Sequence, residues 1–477
     1  MRQKRSLLII FLLSSLSILS LACTVTRKEP AVDVEQDMVS TAVAAAQTAA
    51  SSEATAPSQA PAVTEAPAAT EAPPTSEPSV EHAAPLQAVF TDPNSNLWIW
   101  QDGSGARQLD SSGEVEYGLL SSDGSQVAYL RSVDYLYYSL WVVNTDGTNQ
   151  RELLSNEQLF GLLSEPGHET LPADTLTYAI SNRPYALQWL PDSSSLSFTS
   201  SPTFEGPGLL IVGDIYQLDT VTGELTLALN TASGGLPAYS PDGSLMAVVT
   251  PESISLANVD GSNYRANLVT FERVMTYSEY HYYPQVVWAP DSSHFKVVIP
   301  PADPLDPGAL SAAIWQVNAD GAPGSLVATL TNIFPFAWPE LSPDLSRVVY
   351  QRRFGAPTDN LKELHYASVN GSEDTLIHTG LLDFVSHHPD SQHILFWLDV
   401  PTNYQLAQLD GTFMPLTDTG YARSVKWIND DTFLFFNFDG SAWQLRRQSI
   451  GFPSTVLVEF AGESGFFPNL DLSGGLE

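Results

Sequence analysis

The sequence predicts an all-β fold: a β-propeller of four-stranded antiparallel blades, eight of them with seven as the alternative, closed by a C-terminal strand that joins the first blade. Three observations predict it. The turn Tyr239-Ser240-Pro241-Asp242-Gly243, before the apolar run 245–249, recurs in variant form down the chain. Each such unit carries a further aromatic or β-branched run and an Asp-Gly or Asn-Gly pair, at 146–147, 260–261, 320–321, 370–371 and 410–411. The ends are mismatched, because the first unit lacks its opening strand while Gly465-Phe466-Phe467-Pro468-Asn469 opens a unit that has no second strand.

The copies of the first turn are Trp189-Leu190-Pro191-Asp192, Trp288-Ala289-Pro290-Asp291, Leu341-Ser342-Pro343-Asp344, His387-His388-Pro389-Asp390 and Trp427-Ile428-Asn429-Asp430, with Ser122-Asp123-Gly124 as a version lacking proline. Proline presets φ at the second turn position, Asp accepts backbone N–H bonds, and Gly takes the positive φ that follows. The turn therefore joins strands A and B. Asp-Gly and Asn-Gly then mark two-residue hairpins between C and D. The aromatic before the turn (Trp189, Tyr239, Trp288, Trp427) is expected to pack between units. Counting second strands at 87–90, 126–130, 196–199, 245–249, 295–299, 347–350, 393–397 and 433–436 gives eight blades. Pairing the two ends closes the ring and removes the open sheet edges.

The Ser-Pro-Asp-Gly turn, the apolar strand and the later Asp-Gly together resemble the WD40-like β-propeller repeat of TolB and related bacterial periplasmic proteins, over nearly everything after Leu86. TolB-type domains have six blades, whereas eight are counted here. No Gly-x-Ser-x-Gly elbow follows the repeats, which separates the chain from the propeller-fronted serine peptidases that share them. The resemblance also extends to propeller lyases that hold a metal on histidine in the channel.

Before the repeats lie two segments of different composition. Arg2, Lys4 and Arg5 precede an apolar, Ser-rich stretch at 7–21, so residues 1–22 are read as a signal peptide. Leu19-Ser20-Leu21-Ala22-Cys23 resembles a bacterial lipobox, which implies that Cys23 is lipidated. Cys23 is the sole cysteine, so no disulfide forms within one chain. Residues 23–85 are rich in Ala, Pro, Thr and Glu and repeat Thr-Glu-Ala-Pro at 64–67 and 70–73, the composition of a disordered tether. The propeller occupies 86–477. These readings place the protein in the bacterial cell envelope, lipid-anchored at the outer surface of the cytoplasmic membrane or in the periplasm. The net charge of -34 repels phosphate and argues against a nucleic-acid partner.

In a four-stranded meander the A–B and C–D turns share one edge of each blade, and the B–C and D–A connections share the other. The long segments, at 131–138, 155–184, 200–208, 271–284, 300–311 and 351–361, all fall on the second edge. Binding residues concentrate on irregular loops held by a rigid scaffold, so this edge is the expected binding face. Two of its loops are rich in tyrosine, whose broad ring and polar tip suit a sugar or a peptide. They give Tyr135, Tyr137, Tyr138, Tyr280, His281 and Tyr282 as candidate ligand contacts; the plainer alternative is that these rings cap blade edges. His168 with Glu169, His281 with Glu279, and His387 with His388 were weighed as metal ligands, but none has a compact ligand spacing. The expectation is no metal, no cofactor and no catalytic residue, and a protein, peptide or envelope glycan as ligand. The rival is a propeller lyase or hydrolase with a His and carboxylate cluster at the channel mouth.

Overall fold

A computed structural model describes residues 86–473 except 169–174, 206–209, 357–359, 400–402, 417–421 and 464–467. Cys23, the signal peptide and the tether lie outside the described residues, as do Glu169 and the 465–467 part of the closing segment. The strands form eight four-stranded antiparallel sheets. This is an eight-bladed β-propeller.

Blades 2 to 8 take their four strands in chain order, starting with Val115–Leu120, Ser181–Trp189, Leu236–Tyr239, Val286–Trp288, Glu340–Leu341, Leu382–His387 and Ala422–Asn429 as strands A. Blade 1 takes strands B, C and D from Gln87–Thr91, Leu97–Gln101 and Gly105–Asp110, and strand A from the far end, Leu470–Ser473. In the closing ladder Gln87 faces Ser473 and Phe90 faces Leu470. Closure also reaches sideways, because the Asp471 carboxylate accepts the Leu120 N–H of blade 2 at 2.7 Å.

Strand B is apolar on both faces because each face meets another blade. Val127 to Leu130, Met246 to Val248 and Phe433 to Phe435 are all 0% exposed. Buried clusters bridge every pair of neighbours: Leu130 and Leu140 with Phe198 and Leu218 between blades 2 and 3, Val249 with Phe295 between 4 and 5, and Phe436 and Trp443 with Ala88 and Phe90 between 8 and 1. The aromatics before the A–B turns reach the preceding blade, as expected. Trp189 and Trp288 donate their indole N–H to Leu119 and Ala238 carbonyls at 3.0 and 2.9 Å, and the Tyr239 hydroxyl donates to Ser197 at 2.7 Å.

The A–B turn is closed by its own side chains. In blade 4, Ser240 donates to Asp242 at 2.6 Å while Asp242 accepts the Ser244 N–H and hydroxyl at 3.0 and 2.9 Å. The left-handed position is glycine at Gly124 and Gly243 but Ser193, Ser292, Leu345 and Ser391 in other blades, with φ between 53° and 60°. Two of those serines act on the neighbouring turn: Ser193 accepts the Asp123 N–H at 3.1 Å, and Ser292 accepts the Asp242 N–H at 3.0 Å. A hydroxyl that ties one blade to the next offsets the strain of a non-glycine residue there.

One expectation is corrected. The Asp-Gly pairs do not form two-residue hairpins: in blade 4 strand C ends at Asn258 and strand D begins at Arg265. Gly261 donates to Asn258, and Asp260 accepts Ser262, so Asp-Gly closes a tight turn inside a longer connection. The long segment at 155–184 is partly helical, with α1 at Asn156–Leu162 and α2 at Thr175–Tyr178. Ser155 and Gln158 form a reciprocal capping box that starts α1, and its Leu159 and Leu162 join the core between blades 2 and 3.

Candidate functional site

Successive A strands approach one another around the axis, as 236–239 does with 286–288 and 422–429 with 470–473. Each A strand starts at the loop-rich edge and runs to its Pro-Asp turn. The residues just before and at the start of an A strand therefore sit at the inner end of the loop-rich face. At that place between blades 5 and 6 the structure has a recess of about 230 Å³, lined by Tyr282, Tyr283, Gln285, Trp338, Glu340 and Val298 among others.

Two D–A connections build it. The first, after Thr270, is held down by the B–C turn of blade 4 and the B–C loop of blade 5. The Tyr277 hydroxyl donates to Asp303 at 2.8 Å, Met275 N–H donates to Ala302 at 2.7 Å, and Arg273 pairs with Glu252 at 2.8 Å. The second connection carries Phe336 and Trp338. Tyr282 lies 5.2 Å from Trp338 between ring centres, Trp338 lies 5.8 Å from Phe336, and Phe336 lies 6.3 Å from Tyr277. Four rings thus form one continuous aromatic wall that starts in the recess and ends at exposed Tyr277.

Glu340 is the carboxyl of this recess. Its side chain is exposed, while the protein packed around the recess removes part of its hydration and pushes its carboxyl up to about 7. Its backbone carbonyl accepts the His387 Nε2–H at 3.2 Å, which leaves His387 Nδ1 without a proton in the neutral ring. That nitrogen is buried with no hydrogen-bond partner, and burial lowers the His387 pKa to about 4. A second polar group lies near the starts of the blade 2 and blade 3 A strands: Arg183 pairs with Glu116 at 2.6 Å, and burial pushes the Glu116 carboxyl up despite the guanidinium.

The tyrosines named from sequence divide. Tyr282 lines the recess; Tyr280 is 43% exposed beside it, and exposed His281 contacts Arg273 at 3.3 Å. Tyr135 and Tyr137, 68% and 44% exposed, sit at the B–C hairpin of blade 2, where Asp134 and Tyr135 adopt positive φ. Tyr138 turns inward at 7% exposure into the core between blades 2 and 3 and donates to the Tyr135 carbonyl. Among the described residues no hydrogen bond or ring contact joins the blade 2 loop to the 277–282 loop. Trp338, Phe336, Gln285 and Glu340 were missed. For Phe336 and Trp338 the signal was the run Phe334-Pro335-Phe336-Ala337-Trp338-Pro339, aromatics alternating with proline or alanine in a connection too short to stand out by length.

The histidines weighed as ligands also separate. His168 is buried against Asp214 at 2.7 Å and contacts the Glu165 carbonyl at 3.1 Å, a strap that ties the helical insertion to blade 3. Among the described residues one group brings three possible ligand atoms within 4.8 Å of one another, His388, Asp390 and His393, and it belongs to the turn edge of blade 7 rather than the recess.

No family model matches the chain, and no curated protein matches it. Several solved structures are similar to it at low sequence identity. A eukaryotic initiation factor is 13% identical, with 79% of this chain and 85% of that chain covered at a TM-score of 0.47. The oligogalacturonate lyase of Vibrio parahaemolyticus is 14% identical over 65% and 82%, at 0.41. TolB of Acinetobacter baumannii is 16% identical over 61% and 62%, at 0.30. The chain thus spans less than two thirds of that TolB, and the likenesses concern the propeller fold alone.

Proposed function

We propose that the protein is a lipid-anchored, extracytoplasmic lipoprotein whose propeller binds an envelope glycan without catalysis, through the recess between blades 5 and 6. One observation carries this reading: the aromatic wall Tyr277–Phe336–Trp338–Tyr282 leads into a small recess whose polar groups include Gln285 and Glu340. Aromatic faces cover the apolar face of a sugar ring, while a few placed polar groups fix its hydroxyls. The recess has room for one ring-sized unit of a longer chain. The lipobox at Cys23 and the tether at 23–85 support the anchored placement, which would hold the propeller clear of a membrane surface.

A protein or peptide ligand at the same loops, and a lyase or hydrolase reading, are the outcomes against which this is tested. The enzyme reading draws on Glu340, because a carboxyl that stays protonated near neutral pH suits a general acid. It would need a second acid or base near the ring, and among the described residues Glu340 is the one carboxyl lining the recess. Glycan and peptide arrays probed with the purified chain give the test. Retention of a glycan without turnover, lost in Trp338→Ala, supports the proposal; peptide binding alone, or release of cleaved product, overturns it. Mass spectrometry of the mature N-terminus tests the anchor, which an unlipidated first residue refutes.

A further inference from the structure

We propose that the blade 7 turn is a metal site, in which His388, Asp390 and His393 bind one divalent transition-metal ion such as Zn²⁺. The comparison among turns points there. In blades 2, 4 and 6 a serine precedes the turn Asp by two residues and donates to it: Ser121 to Asp123 at 2.6 Å, Ser240 to Asp242 at 2.6 Å, and Ser342 to Asp344 at 2.7 Å. In blade 7 that serine is replaced by His388, and the first residue of strand B is His393. One carboxylate then stands between two imidazoles. His388 Nδ1 lies 2.9 Å from Asp390 Oδ1, and His393 Nδ1 lies 2.6 Å from Asp390 Oδ2.

Hydrogen-bond accounting makes the site unusual. His388 Nε2 is 2.8 Å from the Asp430 carbonyl, which only accepts, so that nitrogen carries the proton. In the neutral ring Nδ1 is then a lone pair, taking a long 3.3 Å bond from the Asp390 N–H and facing a carboxylate oxygen at 2.9 Å. Two electron-rich atoms this close call for a cation between them. Donation of the far ring N–H to a backbone carbonyl is also how metal-ligating histidines are oriented. His388 is only 2% exposed and is fixed edge-on to Trp427, with ring centres 4.3 Å apart. Asp390 and His393 are partly exposed, which gives an entry path and leaves a further position open to water.

Ligand atoms around a tetrahedral Zn²⁺ lie about 3.3–3.6 Å apart at bond lengths of about 2.0–2.2 Å. Binding therefore widens the two imidazole–carboxylate gaps, now 2.9 and 2.6 Å, by roughly half an ångström to one ångström and displaces the long Asp390 N–H bond. The ion would clamp the turn of blade 7 and, through Asp430, the turn of blade 8. It sits on the edge opposite the glycan recess and does not depend on that reading.

The test uses the untagged full chain, stripped with chelator and titrated with Zn²⁺ alone by calorimetry, with Co²⁺ absorption as the coordination readout. One Zn²⁺ per chain should bind, and melting should move up by several degrees. His388→Ser restores the side chain found in blades 2, 4 and 6 and should weaken Zn²⁺ binding at least tenfold, read by titration of the folded chain because losing the buried imidazole also lowers the chelated chain's melting temperature. His393→Ala should weaken Zn²⁺ binding similarly. Absence of saturable Zn²⁺ uptake overturns the site and leaves His388 and His393 as polar neighbours of Asp390 within the turn. Uptake that neither variant changes overturns it equally, by placing the metal elsewhere on this acidic chain.

Discussion

The two edges of the disc solve different problems with the same strands. On the turn edge, Asp123, Asp242 and Asp344 each accept from a serine two residues earlier, and Ser193 and Ser292 link one blade's turn to the preceding one. On the loop edge, the connection after Thr270 is tied by Tyr277–Asp303 and Arg273–Glu252, contacts that the turns of other blades do not repeat. Repetition therefore marks what positions blades, and its failure marks what is free to recognise a ligand. Blade 7 departs from this division, because there the repeat fails on the turn edge.

The largest effect should come from breaking the ring itself. Ending the chain at Glu463 removes the strand that pairs with Gln87–Thr91 and the packing of Leu470 and Leu472 against the blade 8–blade 1 core. Two leucines alone are worth about 3–6 kcal/mol, and the loss also exposes a sheet edge. Thermal melting should fall by on the order of 10 °C. An unchanged melt would mean that the termini do not close the scaffold.

Next comes the recess, where Trp338→Ala or Tyr282→Ala should cost binding and spare the fold. Both rings are only partly buried, and they pack against each other. Loss of an aromatic anchor should weaken a glycan by tenfold or more, about 1.4 kcal/mol, with little change in melting temperature. Should stability fall instead while affinity holds, the wall is edge packing and the loop edge is scaffold too.

Smaller still are the latches between turns. Ser292→Ala removes the acceptor of the half-buried Asp242 N–H and should cost about 1 kcal/mol in denaturant unfolding. Ser193→Ala, whose bond to Asp123 is exposed, should cost less, and the pair should add. Equal and negligible losses would reduce the Ser–Asp contacts to incidental ones.

What the sequence revealed follows this same division. The eight second strands and the ring closure were legible because each strand B is buried on both faces and the turn before it carries Asp, usually after Pro, at a fixed place. Tyr282 was legible as an aromatic in a long loop. Trp338 and Glu340 were not, since they come from a different blade, and only the packing of blades 5 and 6 brings them to Tyr282. Tyr138 shows the converse: it shares a loop with Tyr135 and Tyr137, yet strand alternation turns it into the core. Helix α1 announced itself in Ser155-x-x-Gln158, a signal outweighed by the surrounding β repeats.

The smallest effect is also the sharpest probe of whether the recess is enclosed. Glu340 has a folded pKa raised to about 7 from an ordinary 4.5, so between those values the folded chain keeps a proton that the unfolded chain gives up. Its contribution favours the fold at low pH and is lost as pH rises through 7. Glu340→Gln keeps a neutral, similarly shaped group at every pH. Variant and wild type should melt alike near pH 4, and the variant should be more stable at pH 8 by at most about 1 kcal/mol, since water reaches the carboxyl and screens it. His387 acts in the opposite sense. Its folded pKa, lowered to about 4 from 6.5, withdraws stability as pH falls between those values, so the wild-type curve should look flatter than either group alone would make it. Removing Glu340 should expose the His387 slope, with stability rising steadily up to about pH 6.5. Parallel wild-type and variant curves would mean that the Glu340 carboxyl lies on open surface, and the recess would lose the feature that distinguishes it from the rest of the loop edge.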